Sequence, residues 1–260
     1  MNERDVFAVG PAYEAYIGRW SRPVGREFVR WLDVPARRRW LDVGCGTGAL
    51  CAAILEHCAP ALVAGVEPSE GFLASARQNL AGRAVLHKGA ADSLPLEDRS
   101  AEVVVSGLVL NFVPDPRRAL IEMRRVAGEG GCIAAYVWDY AGRMELMRHF
   151  WEAAAELDAS AAKLDEGTRF PLCRPDALLQ AFASAGLGQA EVTPIDIPTR
   201  FESFDDYWQP FLGGQGPAPA YAMSLSEPQR AQLRERLRDR LPRNADGSIA
   251  LVARAWAVKA

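Results

Sequence analysis

The residue types best suited to chemistry fall in one short stretch. Asp42 stands two positions ahead of Gly44, the first of three glycines at alternate positions, Gly44, Gly46 and Gly48, with Cys45 and Thr47 between them. Glycine admits positive φ and lets a ligand come against bare backbone. Directly behind the glycines, Leu50, Ile54 and Cys58 recur four apart, so a helix opens there. Its first turn offers unpaired N–H groups and a partial positive charge. An acid so close to the turn disfavours a pyrophosphate and suits a ligand carrying an ammonium or sulfonium. The G-x-G-x-G spacing also departs from the G-x-G-x-x-G of dinucleotide sites, which disfavours a nicotinamide oxidoreductase. A glycine-rich turn without a ligand is the plain alternative.

A second acid closes the next apolar run. Ala61 to Val66 reads as a strand ending at Glu67-Pro68-Ser69. Glu67, about 20 residues beyond the glycine turn, is placed to accept hydrogen bonds from two ribose hydroxyls, against the alternative of a solvated loop acid. Further on, Gly107-Leu108-Val109-Leu110 reads as wall and floor of the ligand pocket. Upstream, Tyr16-Ile17-Gly18-Arg19-Trp20-Ser21-Arg22 carries more aromatics and arginines than a connector needs. It is either a flap over the ligand, with Arg19 or Arg22 near a carboxylate and Trp20 beside it, or a packed N-terminal arm that also includes Phe7 and Tyr13.

The elements that must position these groups alternate. Pro23 to about Asp33 reads as a helix with Val24, Phe28, Trp31 and Leu32 on its apolar face. Strands are expected to end at Val43, at Val66, and over Ala84–His87, Ala101–Ser106 and Gly131–Trp138. Between them, Ser69 caps one helix and Asp115-Pro116 opens another that Gly128 stops. Strands and helices alternating at short intervals imply a parallel sheet wound on both faces, with right-handed crossovers. After Asp139 the pattern changes. A helix is expected over about Arg143 to Leu157, a loop through Phe170-Pro171-Leu172, a helix from Pro175, a strand from Gln189 to Arg200, a Gly/Pro-rich loop over Gly213–Pro219, a helix from Ser226 to Leu241 and a closing antiparallel strand from Ile249 to Val258. The arginines at 230, 234, 236, 238 and 240 read as a solvated face, with Glu235 and Asp239 interleaved.

Composition bounds the rest. The chain has 260 residues, 49% hydrophobic and 24% charged, with a net charge of −3. These values fit a globular protein and give no basic stripe for nucleic acid and no attraction to an anionic membrane. The five cysteines form no C-x-x-C pair, and several sit in apolar segments, which points to reduced thiols in a cytoplasm. No apolar signal region and no run of transmembrane length are present. No metal-ligand spacing stands out.

Taken together, Leu41–Gly48, Glu67–Ser69, Asp92–Pro95, Gly107–Phe112 and Gly128–Cys132 resemble the class I S-adenosylmethionine-dependent methyltransferases, within the broad ubiquinone-biosynthesis-like small-molecule group. Residues 16–140 carry the resemblance. It implies a Rossmann-like, doubly wound, seven-stranded, mostly parallel α/β sheet with the last strand antiparallel, and helical insertions after strand 5 and before the last strand. The whole chain, 1–260, then reads as a single methyltransferase domain, with an N-terminal helical flap over 1–33, a cofactor-binding core over 34–138 and substrate-side insertions over 139–260. The implied cofactor is S-adenosylmethionine, leaving as S-adenosylhomocysteine. Its implied contacts are Arg19, Trp20, Asp42, Gly44, Cys45, Gly46, Thr47, Glu67, Pro68, Ala91, Asp92, Ser93, Gly107 and Leu108. Asp92, in a segment similar to the family's D-x-L-P, would accept from the adenine amino group. The acceptor is expected to be a small, apolar or aromatic molecule met by Trp138, Tyr140, Trp151 and Trp208, in a monomer or homodimer. Asn111 does not match the Asn-Pro-Pro-aromatic motif of amino-methylating nucleic-acid enzymes, because Phe112-Val113 stands where the prolines belong. No His/Asp pair stands out as a general base. His149, on the helix with Phe150 and Trp151, is the candidate, and a surface histidine is the alternative. A protein that binds the cofactor without catalysis is the rival reading.

Overall fold

The computed structural model describes residues 14–214 and 216–260. Phe7 and Tyr13 lie outside the described residues. The chain divides into two compact units. One, here the sheet unit, comprises Ser21–Val137, Arg174–Ile195 and Ala255–Ala260. The other, here the aromatic unit, comprises the described part of Met1–Trp20 with Trp138–Cys173 and Asp196–Arg254.

In chain order the elements are α1 (Arg19–Leu32), β1 (Arg39–Val43), α2 (Ala49–His57), β2 (Leu62–Glu67), α3 (Glu70–Leu80), β3 (Val85–Lys88), β4 (Val103–Gly107), α4 (Pro116–Ala127) and β5 (Cys132–Trp138). They continue as α5 (Glu145–Leu157), α6 (Glu166–Arg169), α7 (Pro175–Ser184), β6 (Glu191–Phe201), α8 (Phe204–Trp208), α9 (Pro217–Ser224), α10 (Glu227–Arg240) and β7 (Ile249–Lys259). Among the described residues the seven strands form one sheet in the order β3-β2-β1-β4-β5-β7-β6. The first five strands pair in parallel. β7 runs against β5: Ile133 exchanges both backbone bonds with Ala260, whereas the later Asp139 donates to the earlier Arg254. The expected doubly wound, mostly parallel sheet with an antiparallel last strand is therefore the fold observed.

Strand order reverses between β1 and β4, and in open parallel sheets ligands bind beyond the carboxyl ends at such a reversal. The local chemistry that builds these ends is as expected. Ser69 Oγ accepts from Phe72 N–H at 3.4 Å and Asp115 Oδ1 from Arg118 N–H at 2.9 Å, capping α3 and α4. The sheet core is apolar on both faces, with Trp40, Leu41, Val43, Val104, Val105, Ala134 and Ala135 all buried.

Several boundaries differ from the sequence reading. α1 begins at Arg19, not Pro23, and follows a π-helical turn over Glu14–Gly18. Pro23 stands one turn in, where the N–H it lacks would have paired with the first helical carbonyl, so only one bond is lost. The expected loop before Phe170 contains α6, and the Gly/Pro-rich loop yields α9 from Pro217. Proline at a first helical position marks a start as readily as a break. The α10 arginines are not a freely solvated face. Arg240 pairs with Glu152 and Glu156 of α5, and Arg234 with Asp205 of α8 at 3.0 Å. Such exposed pairs add little stability each, at about 0–1 kcal/mol.

Candidate functional site

In the sheet unit, backbone hydrogen bonds tie the glycine turn to the end of β2. Gly44 and Cys45 N–H both donate to Val66 O, at 2.8 and 3.0 Å. Gly46 N–H donates to Glu67 Oε2 at 3.2 Å and Ser69 N–H to Glu67 Oε1 at 2.9 Å. Glu67 is 7% exposed, so it is no solvated loop acid. A carboxylate has about four lone-pair positions, and these two backbone donors leave each oxygen able to accept again. Burial raises the Glu67 pKa, and the Ser69 and Gly46 hydrogen bonds oppose that rise.

The turn also meets the end of β4. A Cβ on Gly44 would lie 2.5 Å from Val109 Cγ1, so only glycine fits there. Gly46 has φ +53, and a Cβ on it would meet no protein atom within 4 Å. Its surroundings are open on the side where a ligand would approach bare backbone. Leu108 has φ +62, which for a non-glycine costs of order 1–3 kcal/mol, and its N–H is held by Tyr136 O at 2.8 Å. Strain of this kind clusters at ligand-binding positions, and sequence reading had no signal for it.

Asp42 lies beneath the turn, 1% exposed. The Cys51 thiol donates to its Oδ2 at 3.3 Å, and Oδ1 has no partner. Burial pushes Asp42 up to about 7, against the Cys51 hydrogen bond and together with the Glu67 charge. The loop after β3 holds Ala91 and Asp92 half-buried and Ser93 exposed, with Ser93 N–H on Ala90 O at 3.2 Å and Asp92 O accepting from Arg118 Nε at 3.0 Å. Thr47 is half-buried and Pro68 exposed. Thus the sheet unit gathers Asp42, Gly44, Cys45, Gly46, Thr47 and Glu67, with Gly107 and Leu108 at the end of the adjoining β4.

Arg19, Trp20, Trp138, Tyr140, His149, Trp151 and Trp208 belong to the aromatic unit, whereas Arg22 belongs to the sheet unit. Arg19 donates to Asp206 Oδ1 at 2.9 Å, and its guanidinium lies over the Trp20 ring at 4.4 Å and the Phe201 ring at 4.7 Å. Its charge is matched by Asp206. Trp138, Tyr140, Trp151 and Trp208 are each under 5% exposed. Trp151 Nε1 donates to Glu166 Oε2, an acid that the sequence analysis does not single out. His149 is half-buried rather than at the surface, with Nδ1 unpartnered. Burial lowers its pKa, Glu152 and Glu145 act against that and Arg240 and Arg148 with it. Among the described residues no His/Cys/Asp/Glu group is placed to hold a metal ion, and no helix is long and apolar enough to cross a membrane.

Comparison with known proteins places this geometry. A methyltransferase domain family matches residues 41–135, the segment that holds the glycine turn, Glu67 and the β4 exit. An uncharacterized methyltransferase of Mycobacterium tuberculosis is 38% identical over 132 residues, 51% of this chain and 50% of that one, so the chain spans about half the length of such relatives. The YcgJ protein of Bacillus subtilis has a similar fold, with TM-score 0.56 at 16% identity over 93% of this chain and 97% of that one. A demethylmenaquinone methyltransferase of Geobacillus stearothermophilus is 31% identical over 193 residues, which are 68% of this chain and 80% of that protein. On that breadth of identity the chain belongs to the class I S-adenosylmethionine-dependent methyltransferases.

Proposed function

We propose that this chain transfers a methyl group from S-adenosylmethionine to a small aromatic or largely apolar molecule. The observation that carries the reading is the Gly46–Glu67 pair: an open, bare backbone position whose N–H holds a buried acid with accepting capacity left. The residues present suit the cofactor. Glu67 would take the ribose hydroxyls, Asp92 the adenine amino group, and the Gly44–Thr47 turn the amino-acid portion, with Pro68, Ala91, Ser93, Gly107 and Leu108 as walls. The unpartnered Oδ1 of buried Asp42 leaves an acceptor beneath the turn, and the carboxyl favours a cationic ligand when it is ionised, above its raised pKa of about 7. When bound, the cofactor supplies a methyl group on a positively charged sulfur, so the chain's own task is alignment and exclusion of water. Alignment alone is worth up to about 7–11 kcal/mol. On the acceptor side, Trp138, Tyr140, Trp151 and Trp208 supply an apolar frame of the kind that lines small-molecule sites. The demethylmenaquinone methyltransferase that matches four-fifths of its length here is named for a quinone, which supports an aromatic acceptor.

Two measurements test this. S-adenosylhomocysteine at about a hundred times its dissociation constant should raise Tm by about 5–10 °C, and NAD should not. A shift with NAD alone would sink the assignment. Labelled S-adenosylmethionine offered with a metabolite panel should then mark an aromatic product. Cofactor binding with no transfer to any acceptor would leave a binding protein only.

Glu67 carries a separate expectation. Glu67→Ala should weaken S-adenosylhomocysteine binding about tenfold to a hundredfold through loss of charge-assisted hydrogen bonds of about 1.5–3 kcal/mol. Glu67→Gln, which keeps one acceptor for Gly46 or Ser69, should lose less. Equal calorimetric affinity in all three proteins would show that Glu67 only ties the turn.

A further inference from the structure

Within the sheet unit, three arginines line a cavity that the cofactor chemistry does not use. The cavity has a volume of about 270 Å³. Arg22 and Arg26 of α1, Glu56 and His57 of α2, and Asn79 and Arg83 at the end of α3 enclose it, with Thr47 at the mouth of the glycine turn. Every lining residue lies within Ser21–Val137. Gly44, Gly46, Glu67 and Leu108, the centre of the site proposed for the cofactor, do not line it. Taken as a sphere the cavity is about 8 Å across, so a small ligand inside meets side chains of all three helices together.

The charge of this lining is one-sided. Three guanidinium groups stand against one carboxylate, Glu56, which lies 3.9 Å from the His57 ring nitrogen. His57 aside, the lining carries an excess of two positive charges on a chain whose net charge is −3. Arg26 and Arg83 have no carboxylate partner among the described residues, unlike the nearby Arg30 and Arg77, which pair with Glu27 at 2.7 Å and Glu70 at 3.0 Å. Arg83 is also held in place. Its backbone N–H and its Nε both donate to Leu80 O, at 3.0 and 3.3 Å, which leaves its two terminal amino groups free to donate. Asn79 is fixed likewise, with Nδ2 on Thr47 O at 3.0 Å and the second hydrogen of that amide unused. The larger cavity of the same unit, about 780 Å³ at the amino ends of β1, β4 and β5, differs in this respect. There Arg38 and Arg39 pair with Glu102, and Lys259 with Glu191. A concavity lined by one sign of charge concentrates counter-ions.

We propose that this cavity is a binding site for a phosphate group, held by Arg26 and Arg83 with Arg22, Asn79 and Thr47 as further donors. The proposal goes beyond the methyltransferase reading and does not depend on it. The planar fork of a guanidinium matches two phosphate oxygens at once, and its bonds to an anion are charge-assisted. A phosphate group directs its oxygens tetrahedrally, so it can engage donors from α1 and from the end of α3 together. A carboxylate has two oxygens in one plane and serves such an arrangement less well. The volume falls just below the range of about 300–1,000 Å³ usual for sites that enclose a whole small molecule. It therefore suits the phosphate and leaves the body of a phosphate ester at the mouth. Nucleic acid fits poorly, because these cations converge on one concavity instead of following a backbone.

The test is calorimetry on the full chain in a phosphate-free buffer, with chloride holding the ionic strength constant. Inorganic phosphate and phenyl phosphate are the probes. Wild type should bind at least one of them saturably, one per chain, with a dissociation constant below about 1 mM. Tighter binding of phenyl phosphate would assign the site to an ester, and equal binding of the two to free phosphate. Arg26→Ala and Arg83→Ala should each weaken binding about tenfold or more. Both side chains are exposed, so the variants should fold, and thermal unfolding checks that they do. Arg30→Ala removes the same charge from the same helix outside the cavity, and should change binding by about twofold or less. S-adenosylhomocysteine affinity should be the same in wild type and all three variants. Absence of saturable binding by either probe would overturn the proposal, as would an equal loss in Arg26→Ala and Arg30→Ala. Mutual exclusion of phosphate and S-adenosylhomocysteine would also overturn it, since the anion would then lie in the cofactor's own place.

Discussion

Gly46→Val is expected to abolish S-adenosylhomocysteine binding in a protein that still folds. Two features of the turn separate these effects. A Cβ at Gly46 would meet no protein atom within 4 Å, so the first added carbon finds open space. The φ of +53 imposes strain on any other residue, of about 1–2 kcal/mol for an ordinary side chain and more for a β-branched one. That strain lowers Tm by several degrees in a chain of this size. Binding suffers far more, because the branched side chain fills the space in which a ligand would lie on the backbone. Gly46→Ala should fall between: nearly the same strain, a smaller obstruction and partial binding. Calorimetry beside thermal unfolding reads both effects. Normal affinity in a folded Gly46→Val protein would place the ligand away from this turn.

The second large effect concerns pH. Asp42 and Glu166 are buried carboxyls raised by desolvation to about 7 and about 8. Their unfolded values lie near 4. Between the two values the folded chain holds protons that the unfolded chain releases, so stability falls as pH rises. The contribution is complete below about pH 4 and is lost as pH rises through about 7 for Asp42 and about 8 for Glu166. Each raised carboxyl accounts for a few kcal/mol, since one pKa unit is about 1.4 kcal/mol. Glu102, held at about 2 by the Arg38 guanidinium and the Arg39 N–H, and Asp246, held at about 2 by the Ser248 hydroxyl and N–H and then by Arg200, act in the opposite sense and only in acid. Tm should therefore decline by roughly ten degrees from about pH 6 to about pH 9. Asp42→Asn and Glu166→Gln should each flatten the decline, and the double variant should flatten it most. Parallel Tm curves for wild type and double variant would show that neither carboxyl is buried in solution as it is here.

Much of the site was legible before any coordinates. Alternate glycines force a turn whatever surrounds it, and the acids at 42 and 67 stand at the ends of apolar runs that only strands explain. The caps Ser69 and Asp115 act over three residues, so local sequence suffices to place them. The segments after β5 were harder. Whether Pro217 ends a loop or opens a helix, and whether Arg240 faces water or α5, depends on partners far along the chain.

By itself, then, the sequence determined the glycine turn, the acid that closes the second strand and the alternation that makes a parallel sheet, because each follows from backbone sterics or a period of a few residues. Tertiary structure alone decided the chemistry of the acids. Glu67 is held by two backbone N–H groups, Asp42 is sealed against a thiol with one oxygen unmet, and Glu166 is buried beside an indole N–H. The reason is physical: a carboxyl's charge state and binding capacity depend on desolvation and on donors brought from elsewhere in the chain, neither of which is written in its neighbours.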